Sequence, residues 1–530
     1  MKKTILIAAG LAAALMATTV QAKTLVYCSE GSPEGFDPAL YTAGTTFDAS
    51  SKPIYNRLVE FENGTTKVIP GLAETWKVSD DGLELTFNLR SGVKFHSNDV
   101  FTPSRDFNAD DVVFTFERQL KEDNPWHKYT EGTAWEYFSG MDMPSLIKEI
   151  VKVDDMTVKF VLNRPEAPIV ANMAMDFASV FSKEYADKLQ GMGSMTDLNQ
   201  KPIGTGPFSF VAYQKDAVIR YAAHADYWDG KQPIDNLIFA ITTDNSVRAQ
   251  KLKAGECHVA AYPNPADIDA LKADPNLTML EQEGLNVGYL AYNTRVAPYD
   301  NAKVRKALNM AVNKQAILDT VFQGAGKAAK NPIPPTMWSY NEATVDDPYD
   351  PEAAKKILAE EGVSGLKMKI WAMPVARPYN PNARRMAEVL QDDFAKIDVE
   401  VEIVSYEWGE YLKLSKDLDR DGAVLLGWTG DNGDPDNFLA VLLSCSSVGG
   451  SNRAQWCNKE FDDLTNQAKQ VTDQAERTAL YVKAQEVFKR EAPWATIAHS
   501  VVFMPMSTKV TGYKMDPLGG HRFDGVDIAE

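Results

Sequence analysis

No G-x-S-x-G, H-E-x-x-H or Walker loop occurs in the 530 residues, so the usual nucleophile, zinc-protease and nucleotide signatures are missing. Ser145-Leu-Ile-Lys148 does match S-x-x-K, but its S-D-N and K-T-G partners are absent, which makes the match a coincidence. Histidine is scarce: His96, His127, His224, His258, His499 and His521 are scattered and read as ordinary surface or core residues. A haem or metal contact from one of them stays open as the alternative. No C-x-x-C pair is present, which argues against zinc. Basic excess is lacking too: 55 Lys+Arg stand against 73 Asp+Glu, a formal charge of −18, and the pI is near 4.9. Such a chain has no electrostatic footprint for nucleic acid. Beyond the first 22 residues no apolar run is long enough to span a bilayer.

What is present begins with a leader. Met1-Lys2-Lys3, an apolar segment from Thr4 to Met16 and small residues up to Ala22 have the three-part pattern of a secretory signal. Cleavage after Ala22 makes Lys23 the mature terminus and, with two lysines lost, takes the charge to about −20. About 500 remaining residues exceed one hydrophobic core, so two or three lobes are expected. The four cysteines, Cys28, Cys257, Cys445 and Cys457, imply two disulfides in an exported chain, with three connectivities available. Cys445 and Cys457 close a short loop through Gly449-Gly450 and are the natural pair. Cys28 with Cys257 would then staple the first strand to a distant segment and make the N-terminal lobe discontinuous.

In chain order, Thr24–Cys28 reads as a strand and 31–46 as a Gly/Pro/Ser/Thr loop able to present Thr42 to a cleft. Helical spacing is read over Phe47–Phe61, a helical turn over Pro70–Trp76, strands over Leu83–Leu89 and Gly92–His96, and a capped helix from Asn108 to Leu120. Further strands are read at Leu146–Val161, Ile219–Ala222, Ile234–Ile241 and Leu285–Asn293, with helices at Ser246–Lys253 and Lys303–Asn313. From Leu366 the pattern alternates: strand 366–373, helix 383–395, strand 399–404, helix 409–415, strand 423–426. This βαβαβ order predicts an α/β lobe with a mostly parallel sheet, whose ligands sit at the strands' carboxyl ends. Arg377, Trp408 and Asp431 each follow one of those strands.

The stretch Ala423–Asn437 is the most informative. A buried-strand run leads into Gly427-Trp428-Thr429-Gly430-Asp431-Asn432-Gly433, then Asp434-Pro435 opens a helix. Asp434 is explained as a cap and Asp436 as a first-turn acid. Asp431 is left without a structural duty. A carboxylate there, beside Trp428, suits a cation such as an α-amino group; a solvated turn aspartate is the alternative. A calcium loop fits poorly, because Gly433 and Pro435 break its pattern and Leu442 stands where a bidentate Glu is needed. Arg377 offers a planar fork for a carboxylate, with a surface salt bridge as its alternative. Together the two match the ends of a small zwitterion, since burying either charge unpaired costs several kcal/mol.

The motifs LVYCSEGSPEGFDP (25–38), PGLAETWKVSDDG (70–82), FNADDVVFTFER (107–118), PIGTGPF (202–208), GLNVGYLAYN (284–293), KVRKALNMAVNK (303–314), AMPVARPYNPNARRMAEVLQ (372–391), YEWGEYLK (406–413) and GWTGDNGDPDNF (427–438) run through the whole mature chain. They resemble the large periplasmic solute-binding proteins of peptide ABC transporters, family 5 of the peptide/nickel type, and within it the dipeptide-binding branch. The resemblance implies a two-lobed α/β clamshell with an extra subdomain on the discontinuous lobe: 23–54, 205–283 and 502–530 as lobe I, 55–204 as the subdomain and 284–501 as lobe II. It implies the pairs Cys28–Cys257 and Cys445–Cys457, an amine contact from Asp431, a carboxylate contact from Arg377, and a cleft lined by Thr42, Pro378, Tyr379, Trp428, Thr429 and Gly430. It further implies a monomeric, cofactor-free, non-enzymatic periplasmic protein that binds dipeptides and meets a membrane permease. Other cargo (oligopeptide, haem or metal chelate), a peptide chemoreceptor role with a chemoreceptor as partner, and a secreted hydrolase are the alternatives. The segments 414–422 and 446–453 depart from the family pattern, and neither carries the contacts proposed above.

Overall fold

The computed structural model describes residues 22–130 and 134–529, so the predicted leader, Ala22 apart, lies outside the described residues. Twelve strands hydrogen-bond into one sheet. Thr24–Ser29 lies inside it, parallel to Asn236–Ile241 on one side and to Val259–Ala260 on the other. Val218–Ala223 and Phe208–Gln214 continue outward in antiparallel fashion. Trp494–Ser507, at 14 residues, serves both halves of the sheet. Its first part pairs with Asn286–Tyr292 and its last part with Leu277–Glu283.

In the second half, Lys367–Trp371 is parallel to Glu400–Val404 and to Ala423–Thr429, as the βαβαβ order requires. The expectation of a mostly parallel sheet holds only for these three strands. Asn286–Tyr292 and Trp494–Ser507 pair antiparallel, because the chain enters them from the other half and not through a crossover helix. The helix Ala383–Ala395 shows why such elements pack. Ala383, Met386, Ala387, Leu390 and Phe394 recur at helical spacing and are its buried face, while Asn382 accepts the Arg385 N–H at 2.9 Å as N-cap.

A separate four-stranded antiparallel sheet is built from Ala73–Val78, Glu84–Leu89, Thr157–Leu162 and Ile147–Asp154. The helix Ala109–Leu120, with a reciprocal Asn108/Asp111 capping box, packs on it. Pro70–Trp76 is therefore no helical turn; Ala73 onward is a strand. The helix read over Phe47–Phe61 is also shorter, Gly44–Ala49, and Val59–Phe61 pairs as a strand with Val68–Pro70. Pro53, lacking an N–H, stands where such a helix would have to continue. Gly92–His96 forms no strand.

Both disulfides form, Cys28–Cys257 with Cα atoms 5.8 Å apart and Cys445–Cys457 at 4.5 Å. The chain passes between the sheet halves at Gly284 and again within Trp494–Ser507 near Ser500. These passages are tied together: Gly284 N–H donates to Ser500 O at 2.9 Å, and Ser500 N–H donates to Asn286 Oδ1 at 3.0 Å. A Cβ at 284 would lie 2.5 Å from Ser500 O, so only glycine fits. Gly284→Ala should therefore lower the thermal midpoint by the equivalent of about 1–3 kcal/mol. Gly191→Ala, in the helix Lys183–Met192 with open space around it, should instead raise stability by about 0.5–1 kcal/mol in the same calorimetric scan.

Candidate functional site

The carboxyl ends of the three parallel strands converge on one cavity, walled on its far side by the segment 42–52, Asp176, Tyr262 and 518–520. Ala423–Thr429 delivers Trp428, Thr429 and Asp431. The turn is fixed by Gly430 N–H donating to Leu285 O at 2.8 Å, and by Asn437, in the next helix, whose Oδ1 accepts both the Asp431 N–H (2.8 Å) and Trp428 Nε1–H (2.9 Å). Asp434 accepts the Asp436 N–H at 3.0 Å and pairs with both Nη groups of Arg477 at 2.8 and 2.9 Å, so it is occupied structurally. The helix is entered one residue later than Asp434-Pro435 indicates, at Asp436.

Asp431 has no ion-pair partner among the described residues. The Tyr137 hydroxyl donates to its Oδ2, and the Tyr137 ring stands edge-on to Trp428 with centroids 5.9 Å apart. Burial pushes the Asp431 carboxyl up to about 7, with the Asp176 charge adding to it and Tyr137, Asn437 and Lys52 opposing. Asp176 is itself held by Lys52 at 2.8 Å and by the Ser51 hydroxyl, so the anion next door is already neutralised.

Arg377 lies beyond the end of Lys367–Trp371 in a tight turn whose Arg377 and Asn380 backbones exchange two 3.0 Å hydrogen bonds. It is only 7% exposed. One Nη group donates to Glu30 from the loop after the first strand, the guanidinium lies 5.3 Å over the Tyr262 ring, and Nε has no partner. Burial would lower its pKa, but Tyr262, Glu30, Tyr379 and Asp48 outweigh that and keep it charged. Gly44 makes room for it, since a Cβ there would lie 2.7 Å from Nη2.

Of the residues expected in the cleft, Thr42, Arg377, Tyr379, Trp428, Thr429 and Asp431 line this one cavity. Pro378 faces two smaller neighbouring cavities, and its carbonyl accepts the Ser500 hydroxyl at 2.5 Å. Gly430 packs where a Cβ would meet Phe438 and Leu285, so it shapes the turn from behind. Several lining residues were not foreseen: Asp48, Lys52, Asp176, Tyr262, Ser451 and Arg453. The last two belong to the disulfide-closed loop 446–453, which carries none of the contacts expected from the sequence yet lines the cavity. No group of three or more His, Cys, Asp or Glu side chains able to hold a metal exists among the described residues. There, too, no helix is long and apolar enough to cross a membrane.

A carboxyl group held up at about 7 is a burden on the folded state. The folded protein keeps that proton where the unfolded chain has lost it, so stability declines as pH rises from the ordinary carboxylate range through 7. Ligand-free Asp431→Asn should melt above the parent at pH 8, and the gap should close as pH is lowered to about 4.

Residues 67–450 match the model of the bacterial extracellular solute-binding proteins, family 5. The chain is 57% identical over 521 residues to the dipeptide-binding protein of Escherichia coli, covering 98% of this chain and 97% of that one. It is 54% identical over 524 residues to di/tripeptide-binding protein 1 of Pseudomonas aeruginosa, with 98% and 97% covered. Its fold superposes with a TM-score of 0.93 on a dipeptide-binding protein from Pseudoalteromonas solved with Met-Leu, at 40% identity and with 96% and 100% of the two chains covered.

Proposed function

The chain belongs to the bacterial extracellular solute-binding proteins of family 5, with their two-lobed α/β fold, and from that premise we propose that it captures dipeptides with free ends and delivers them to an ABC-transporter permease. One observation carries this reading: Asp431 and Arg377, of opposite charge and each incompletely paired, line the same cavity. The ligand ammonium meets Asp431, and its carboxylate meets the arm of Arg377 that Glu30 leaves free. Each contact is a charge-assisted hydrogen bond in a site shielded from water, worth about 1.5–3 kcal/mol. Fixing both ends measures ligand length and leaves the side chains between them less constrained.

The walls come from both halves of the sheet, so a ligand that touches both favours the shut arrangement over the open one. The predicted leader over 1–22 supports export, and the likeness to dipeptide- and di/tripeptide-binding proteins supports peptides as cargo.

Calorimetry with Ala-Ala, N-acetyl-Ala-Ala and Ala-Ala-amide tests the pairing of ends. Each block should weaken binding by about 10²-fold or more, and so should Arg377→Met; equal affinities would remove the basis of the reading. Mass spectrometry of ligand released from purified protein should find intact dipeptides. A bound ammonium also draws Asp431 down from about 7, so binding should release a proton near neutrality, and affinity should fall by up to about tenfold per pH unit as pH drops below 7.

A further inference from the structure

Eight arginines are buried among the described residues, and seven have an evident reason. Arg57, Arg118, Arg377 and Arg477 each meet a carboxylate. Arg248, Arg305 and Arg420 direct their Nη groups at backbone carbonyls. Arg453 differs from both sets. It is 3% exposed and has no carboxylate within ion-pair distance among the described residues. Its Nε donates to Ser415 Oγ at 2.9 Å and Nη1 to Gly450 O, which leaves Nη2 without a partner. That donor is left available to an acceptor in the cavity.

Arg453 lines the same cavity as Asp431 and Arg377. Ser451 lines it as well, and its buried hydroxyl also lacks a partner. The two sit on either side of Asn452, whose side chain turns away into its own loop. Its Nδ2 donates to Ser444 O at 3.0 Å and to Trp456 O at 2.7 Å. The Cys445–Cys457 bridge closes the same loop. Ser451 and Arg453 are thus held by a braced scaffold and not by a mobile tip. Tyr289 and Tyr379 complete this wall, and Glu34 acts on the guanidinium only from beyond ion-pair distance.

We propose that Ser451 and Arg453 form a second carboxylate-binding point in the cavity, which favours peptides carrying one more negative group. That group is an acidic side chain of a dipeptide, or the terminal carboxylate of a third residue. The inference rests on the dipeptide reading. A guanidinium on the cavity wall whose Nη2 has no acceptor gains a charge-assisted hydrogen bond from such a group, and the free hydroxyl supplies a neighbouring donor.

Calorimetry on the full chain separates the sources. Ala-Glu and Glu-Ala are compared with Ala-Gln and Gln-Ala, and Ala-Ala-Ala with its amide, in the parent protein and in Arg453→Gln. If side chains are the source, at least one acidic dipeptide should bind about tenfold or more tighter than its amide counterpart, and the ratio should fall to about one in Arg453→Gln. If a third residue is the source, the free tripeptide should show that preference over its amide. Ala-Ala is measured beside each: failure of the parent to bind Ala-Ala refutes the dipeptide reading, whereas Ala-Ala binding without either preference refutes only the second point. A preference that survives Arg453→Gln also overturns it. Should Arg453→Gln fail to fold, Ser451→Ala, which keeps the guanidinium bonds to Ser415 and Gly450, should reduce the ratio several-fold, and an unchanged ratio counts against the proposal.

Discussion

Charge shut away from water must be answered by opposite charge, and the cavity is organised around places where that answer is incomplete. Elsewhere in the interior a direct ion pair supplies it: Arg118 and Asp37, both fully buried, meet through two Nη groups, and Tyr129 donates to the same carboxylate at 2.5 Å. In the cavity wall, Asp431 has a tyrosine and no cation, and Arg377 has a single carboxylate on one arm with Nε unpaired. Under the proposed reading a ligand with opposite charges at its two ends would complete both groups, which is how a site can be selective for charge at both ends while staying loose about what lies between.

The architecture makes the deficits possible. Asp431, Arg377 and Trp408 are carried by the ends of three parallel strands, while Glu30, Gly44, Lys52 and Tyr262 come from the other half of the sheet. Elements that far apart in sequence can hold like and unlike charges at fixed separation because rigid strands, and not flexible arms, set the spacing. Trp408 illustrates the join: its Nε1–H donates to Thr45 Oγ1 of the opposite segment at 3.3 Å. The ties among Gly284, Asn286 and Ser500 hold together the two passages where the chain runs from one half to the other.

Much of this was legible in the residues. Helices with caps and apolar stripes, such as 109–120 and 383–395, announce themselves, and the glycine-bracketed Asp431 stands out because no cap explains it. Arg377 was reachable as a guanidinium just past a strand. The misreadings have physical causes. Phe47–Phe61 has helical spacing by accident, and only the pairing of Val59–Phe61 with Val68–Pro70 decides otherwise. Arg453 was missed because Cys, Gly and Ser around it specify a turn without specifying which way its side chains face. Glu30 and Tyr262 meet Arg377 across long separations that no local pattern encodes; Tyr262 is also held at φ +44°, a backbone state no sequence rule anticipates.

The placement of Thr24–Ser29 inside the sheet sets a schedule for synthesis. That strand emerges among the first residues, yet its partner Asn236 lies 212 positions downstream, and the strand binding the two halves starts only at Trp494. Closing contacts over such separations is slow, so the growing polypeptide stays open-ended until its tail is available. An unfinished sheet of this kind leaves the strands already made with unpaired edges until the last one arrives.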